Sequence, residues 1–345
     1  MAPSVVLVTG VSRFIGAHLA ARLAADPSID RVIGVDTFPP SRELLRGMGR
    51  AEFIRADIRN PLIAKVISSA EVDTVLHTSL SSNPGVSGGR VAMKEMNVIG
   101  TMQLLAACQR SPRIRRLVLK STTAVYGSSP RDPAIFTESM TPKALPAGGY
   151  AKDAAEIEGY VRGFARRRPD VSVAVLRFAN FVGPRIDTAM TRYFTLPVVP
   201  TVLGYDARMQ LLHSEDALAV LEQAAREDLP GTFNVGASGV LMLSQAIRRA
   251  GRVQVSLPDS VVGPVARLFR STRLLDFTSE QMRFLNFGRV VDTDKLRNTF
   301  GFTPRWTTTQ AFDDFVQGRQ LRPVISSAQL SAMEKRVLAT ARAIR

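Results

Sequence analysis

Cysteine is almost absent from this chain of 345 residues: Cys108 stands alone, so no internal disulfide is available. Histidine is nearly as scarce. His18, His77 and His213 lie far apart, no CxxC occurs, and no spacing suits a zinc site, so no metal is expected. A thiol-poor chain of this kind points to a reduced, cytoplasmic compartment. Long apolar runs are missing too. Nowhere do eighteen apolar residues follow one another, and the first residues enter an apolar strand with no basic region ahead of it, which argues against a secreted or membrane-spanning protein. Acidic residues are the minority charge, with 30 Asp and Glu against 45 Lys and Arg, a formal net charge of +15. Such a balance favours anionic partners. The local clusters at Arg113, Arg115, Arg116 and at Arg166, Arg167, Arg168 fall where helices or loops end, and no aromatic residues are interleaved with them. A nucleic-acid groove is not expected.

What remains is material for a large core, 45% hydrophobic by composition. Strand candidates at Val5–Thr9, Arg31–Val35, Glu52–Ala56, Thr74–His77, Arg116–Ser121 and Val171–Phe178 alternate with helical patterns. Alternation predicts an α/β protein with a parallel sheet, and continuously apolar strands such as VVLV and VAVL predict burial on both faces. The right-handed crossover rule makes the sheet doubly wound. After Pro184 the pattern loosens, returns to the sheet at Gly231–Gly236, and becomes mixed through RWTTTQAFDDF. The expected division is a sheet domain over 1–180 with 206–236 returning to it, a smaller mixed lobe over 181–205 and 237–318, and a basic amphipathic helix over 319–345. A second amphipathic stretch, Val261–Leu275, carries Arg267, Arg270 and Arg273 on one ridge. Peripheral membrane contact through such helices is a minor alternative to packing on the body.

The stretch VVLVTGVSRFIGAHL breaks at Gly10 and resumes as a helix with Ile15, Leu19 and Leu23 on one face. Gly10 supplies a tight turn and Gly16 close helix packing, and the acid Asp36 ends the next strand. Strand, turn, helix N-terminus and acid together predict a dinucleotide site. One element is altered. The middle glycine of the motif, which lets the backbone approach a pyrophosphate, is replaced by Arg13.

Farther along lie STTAVYG (121–127), Tyr150 opening a helix, and LRFANFVGP (176–184). In this order they resemble the extended short-chain dehydrogenase/reductases, in the branch of nucleotide-sugar epimerases and dehydratases typified by UDP-glucose 4-epimerase. The resemblance runs from Val5 to Phe315. TGVSRFIG resembles the family's phosphate loop, RADIRN its adenine-pocket acid and neighbour, HTSL its loop after the fourth strand, and NVIGT its mid-helix asparagine motif. LLHSEDAL resembles its HxxD segment and DTDKLRNTFGFTPRW its C-terminal signature.

The resemblance implies a Rossmann domain with a substrate lobe, and hydride transfer to and from NAD on a nucleotide-diphosphate sugar. Tyr150 would exchange the hydroxyl proton and Thr122 would bridge it to the sugar. The cofactor would be held by Gly10, Arg13, Phe14, Ile15 and Gly16 at the phosphates, by Asp36 at the adenosine ribose, by Asp57 and Ile58 at the adenine, and by Thr78, Ser79, Asn97 and Tyr150 toward the nicotinamide. Asp36 favours NAD over NADP, because a carboxylate repels a 2′-phosphate. Asn180 and Arg208 would approach the substrate's diphosphate. The fold often dimerises through a four-helix contact that would include the Tyr150 helix.

Three departures bear on activity. The family places a lysine four residues after the tyrosine, and here that residue is Ala154. An unassisted phenol near pKa 10 is only about one part in a thousand ionised at pH 7. Lys152 leaves the helix about 200° away from Tyr150 and cannot substitute. Lys120 shares strand parity with Thr122 and is the candidate for the missing ammonium. Arg13 either clamps the pyrophosphate or fills its space. Met209 stands where relatives carry an arginine, with Arg208 adjacent. Alternatives are a non-catalytic nucleotide-binding or regulatory protein, and an NAD-dependent oxidoreductase of a non-sugar alcohol or ketone.

Overall fold

The computed structural model describes residues 3–82, 88–141, 149–258 and 279–324. In its first half β1 (Val5–Thr9), α1 (Phe14–Ala25), β2 (Arg31–Asp36), α2 (Arg42–Gly47), β3 (Glu52–Arg55), α3 (Leu62–Ser69) and β4 (Thr74–His77) follow in turn. A helical run then passes from α4 (Arg90–Lys94) through a π turn at Glu95–Ile99 into α5 (Gly100–Arg110), before β5 (Arg116–Thr122), α6 (Gly149–Arg167) and β6 (Ser172–Phe178). Strands and helices alternate as the apolar pattern predicts. The second half contributes β7 (Asn180–Val182), α7 (Ala189–Thr195), β8 (Val198–Val202), β9 (Arg208–Met209), β10 (Leu211–His213), α8 (Ser214–Arg226) and β11 (Gly231–Val235). It ends with β12 (Leu241–Met242), α9 (Leu243–Arg249), β13 (Val253–Leu257), α10 (Ser279–Phe287), β14 (Gly288–Arg289), α11 (Asp294–Asn298) and α12 (Thr308–Gly318).

Seven strands form one sheet in the order β11-β6-β5-β4-β1-β2-β3, parallel throughout. Successive residues of β1 point to opposite faces, and both are covered: Val6 and Val8 enter the cluster beneath α1 and α8, Leu7 the cluster beneath α3, α5 and α6. The strand order reverses beside β1, which lies between β2 and β4. Crossovers leave in opposite directions there, so a crevice opens at the carboxyl ends of β1 and β4. That geometry places the site.

A third cluster, containing Tyr193, Phe194, Met209, Phe312 and Phe315, forms the core of the mixed lobe. Small sheets β10-β7, β12-β9-β14 and β13-β8 surround it. The HSED segment joins the lobe to the sheet domain. Asp216, fully buried, accepts the N–H groups of Arg305 (3.0 Å) and Trp306 (3.1 Å), while His213 stacks on the Trp306 ring at 4.4 Å. The expected helix at Val261–Leu275 and all but the first residues of the tail helix lie outside the described residues. Among the described residues no helix is long and apolar enough to cross a membrane.

Candidate functional site

Gly10 turns the chain at φ +82°, and a Cβ there would come within 2.8 Å of the Ser79 Cα. A Cβ on Gly16 would meet the Gly10 carbonyl oxygen at 2.3 Å, so both glycines are demanded by close packing of turn, helix and the loop after β4. Asp36 caps this turn. Its carboxylate accepts the Ser12 N–H (2.9 Å) and hydroxyl (2.5 Å) on one oxygen and the Thr37 N–H (2.8 Å) on the other. Helix α1 then starts with no side-chain cap and no acid in its first turn. A helix N-terminus left in that state is matched to an anion. Phe14, in that first turn, stacks on the His18 ring (4.0 Å) with the Arg185 guanidinium 5.1 Å from its ring centre, and Ile15 is core.

Arg13, the residue that replaces the motif's glycine, reaches across the groove and donates to Ser81 Oγ at 3.1 Å. Desolvation lowers its pKa, against the opposing pull of Asp36 and Tyr150. The loop that receives it is built from behind. Thr78 donates its hydroxyl to the Thr9 carbonyl (2.6 Å), and Asn97 accepts the Ser81 N–H (2.8 Å) and donates to the Ser81 carbonyl (2.9 Å). Both ends of the Asn97 amide thus shape the loop. His77 bridges Thr9 and Thr101 at 2.8 Å each; burial, helped by Lys120, lowers its pKa to about 3 and keeps the ring neutral. After β3, Asp57 is engaged by Arg59 through side chain (2.6 Å) and N–H (2.9 Å), and Ile58 packs against Gly100, where a Cβ would approach it to 2.8 Å.

Thr122 ends β5, Tyr150 lies in the first turn of α6, and the Thr122 hydroxyl works to lower the phenol's pKa. The structure brings these two together. Burial raises the phenol's pKa well above its ordinary value, and the carboxylates of Glu280 and Asp153 raise it further, while Thr122 and Arg13 oppose them. Ala154, one turn on, is fully buried in the core among residues such as Ile157. Arg13 is a cation whose charge acts on Tyr150. Lys120 lies 5.8 Å over the Phe181 ring, and burial together with Arg13 lowers its pKa to about 8. Asn180 opens β7 beside Leu211, Arg208 is exposed on β9, and Met209 is fully buried.

Several functional neighbours went unread in the sequence. Asp153 is fully buried and held bidentately by Arg90 (2.5 and 2.6 Å), which also donates to the Gly149 carbonyl. Asp153 lies three residues after Tyr150, and that spacing on one helix face was its available signal. Glu280, from α10, accepts the Ala151 N–H at 3.1 Å, and burial raises its pKa. Arg289 reaches Gly127, Ser128 and Thr123. These two are more than a hundred residues from Tyr150, with no local pattern to mark them.

A doubly wound sheet with a glycine turn at its switch point and a Tyr–Thr pair at the end of the fifth strand defines an extended short-chain dehydrogenase/reductase. The chain belongs to the NAD dependent epimerase/dehydratase family, whose model matches residues 6–236. NAD is that family's cofactor, in line with the expectation from Asp36. An uncharacterized protein of Mycobacterium tuberculosis (strain ATCC 25618 / H37Rv) is 53% identical over 98% of this chain and 90% of its own length. Among solved structures, the dTDP-glucose 4,6-dehydratase of Bacillus anthracis in complex with NAD aligns with TM-score 0.71 and 19% identity over 92% of this chain and 96% of that one. The UDP-glucose 4-epimerase of Thermotoga maritima with UDP-glucose aligns with TM-score 0.71 and 18% identity over 92% and 98%. At these identities the two structures establish the shared fold.

Proposed function

We propose that the chain binds NAD across the Gly10–Gly16 turn and a nucleotide-diphosphate sugar beside Thr122, with Tyr150 as the proton-exchanging residue. The observation that carries this reading is the uncapped start of α1 behind the Gly10 turn, on a sheet that also ends β5 at Thr122 beside the helix opening with Tyr150. The Gly10 turn brings up the start of α1, which offers a pyrophosphate N–H groups, and Asp36 stands where ribose hydroxyls are met. Arg13 is a flexible side chain with a planar fork matched to phosphate oxygens, and on leaving Ser81 it closes over the pyrophosphate. NAD bound there supplies a hydride acceptor and donor.

Tyr150 is neutral throughout the physiological range, so it acts first as a donor, giving a hydrogen bond or proton to the sugar oxygen where negative charge develops. Thr122 orients that phenol. Removing a proton from a sugar hydroxyl is the slow direction, because burial, Glu280 and Asp153 all oppose a phenolate. Turnover is accordingly slow at neutral pH and rises with pH. A second reading, nucleotide binding without turnover, is favoured by one specific observation: Ala154 is buried in the core, where the family places a lysine that assists the tyrosine.

The deciding experiment incubates the full chain with NAD and either UDP-glucose or dTDP-glucose and follows the epimerised or dehydrated nucleotide sugar by chromatography, because a hydride lent to NAD and returned leaves no net reduced nicotinamide. Slow accumulation, faster at pH 9 than at pH 7 and abolished by Tyr150→Phe, supports the enzymatic reading. NAD binding with no converted sugar at either pH leaves the second.

A further inference from the structure

Lys120 precedes Thr122 by two residues on β5, so the two side chains leave the same face of the sheet. Val118, two residues earlier on that face, is fully buried in the cluster beneath α1 and α8, and the lysine stem rises from this apolar wall. Its ammonium lies 5.8 Å over the Phe181 ring, which packs against the same cluster. Among the described residues Lys120 has no hydrogen-bond or ion-pair partner. Lys295, the other half-buried lysine of the described residues, is satisfied instead by the Thr232 carbonyl at 2.8 Å. Charge reaches Lys120 from Arg13, while His77, whose ring is tied to Thr9 and Thr101, is neutral.

An amine without an acceptor, set between an aromatic ring and a guanidinium, is disfavoured as an ammonium and kept as a nucleophile. Burial and Arg13 together lower its pKa to about 8. At pH 7 about a tenth of such a lysine is free amine, against about one part in 2,500 of an ordinary one. Proton exchange at Tyr150 leaves that amine unused. The surroundings also select a partner. Arg13 donates to the neutral Ser81 hydroxyl at 3.1 Å, and α1 beside it starts with no side-chain cap. Asp36 acts on Arg13, but its carboxylate is turned to Ser12 and Thr37. Positive potential therefore borders the amine, and an anionic ligand answers it.

We propose that Lys120 captures a small anionic aldehyde or ketone covalently, its amine joining the carbonyl carbon as an imine while Arg13 meets the ligand's phosphate or carboxylate. The nitrogen bonds to the carbonyl carbon, and the carbonyl oxygen leaves as water with the two amine hydrogens, so the capture is reversible and needs no oxidant or reductant. Such a site goes beyond the nucleotide-sugar reading and does not depend on it.

The full chain at pH 7 is incubated with pyridoxal 5′-phosphate, pyridoxal or glyoxylate, reduced with borohydride to fix any imine, and mapped by peptide mass spectrometry, with exposed Lys152 as the internal reference. Pyridoxal 5′-phosphate is expected to modify Lys120 at least about tenfold faster than Lys152. Pyridoxal, which lacks the phosphate, reacts about tenfold more slowly at Lys120, and Arg13→Ala erases that margin. Lys120→Arg keeps a charge, forms no imine, and loses the adduct. Glyoxylate captured as strongly as the phosphate assigns the site to oxo acids, and capture of the phosphate alone assigns it to phosphorylated carbonyls. Labelling spread evenly over the exposed lysines, or equal rates at Lys120 for pyridoxal and its phosphate, overturns the proposal. Both of those results are read on the unaltered chain, so the experiment stays decisive should a variant fail to fold.

Discussion

Glu280 of α10 sets its carboxylate 3.1 Å from the Ala151 N–H, against the first turn of the helix that carries Tyr150. The mixed lobe thereby sets a carboxylate against the helix that carries Tyr150. Gly149 permits the approach. It adopts φ +72°, and a Cβ there would lie 2.7 Å from the Glu280 carboxylate.

Glu280→Gln removes the charge and keeps an oxygen able to accept the Ala151 N–H. Since Glu280 raises the phenol's pKa, the variant's Tyr150 titrates lower. Ultraviolet pH titration of the variant, with Tyr150→Phe subtracted, measures this, and turnover at pH 7 rises in step. An unchanged tyrosine titration would show that Glu280 does not act on the phenol.

Arg13→Ala removes the fork that spans from the phosphate turn to Ser81. If Arg13 clamps the pyrophosphate, NAD affinity falls by about tenfold and Arg13→Lys restores only part of it, since an ammonium lacks the bidentate geometry. Calorimetry reads both. Tighter NAD binding in Arg13→Ala would mean that the guanidinium obstructs the groove.

Lys120 has a folded-state pKa of about 8 against an ordinary 10.5. Between these values the unfolded chain holds a proton that the folded chain has released, so this residue makes stability rise with pH across that window. Below pH 8 the burial penalty is fully present. Lys120→Met is expected to stabilise the protein at pH 7 by on the order of 1–2 kcal/mol, allowing for solvent screening of a partly exposed group, and to flatten the rise above pH 8. Denaturant midpoints at a series of pH values test it.

The position of α6 depends on a buried ion pair. Glu158 receives Arg177 on both oxygens (2.7 and 3.0 Å) and the Ser121 hydroxyl (2.6 Å), while Arg177 also donates to the Tyr126 phenol (2.7 Å). Burial works against the Arg177 charge, yet Glu158 holds its pKa above the ordinary value. Glu158→Ala strands that guanidinium and should cost about 3–5 kcal/mol in urea unfolding. A loss under 1 kcal/mol would show that packing alone fixes the helix.

The sheet was legible because its strands are apolar on both faces and bounded by turn residues; β1 and β4 match their expected limits, and β2 and β5 each run one residue farther, to Asp36 and Thr122. Gly10, Gly16, Asp36, Thr122 and Tyr150 were legible because each sits in a local pattern with a fixed spacing. Asn97 was found by pattern, but its work in shaping the Ser81 loop was not, since hydrogen-bond partners are set by tertiary approach. Parity put Lys120 near Thr122 without showing that its neighbours would be the charged Arg13 and a neutral His77. Glu280 and Arg289 arrive from the second lobe, and only the folded chain brings them beside the pair.

Calorimetric titration of the full chain with NAD and NADP is the most direct measurement of whether the groove at Gly10 and Gly16 holds a dinucleotide. Micromolar binding of NAD, with NADP at least about tenfold weaker because of the Asp36 carboxylate, is the predicted result. Heat signals at background for both cofactors would contradict it.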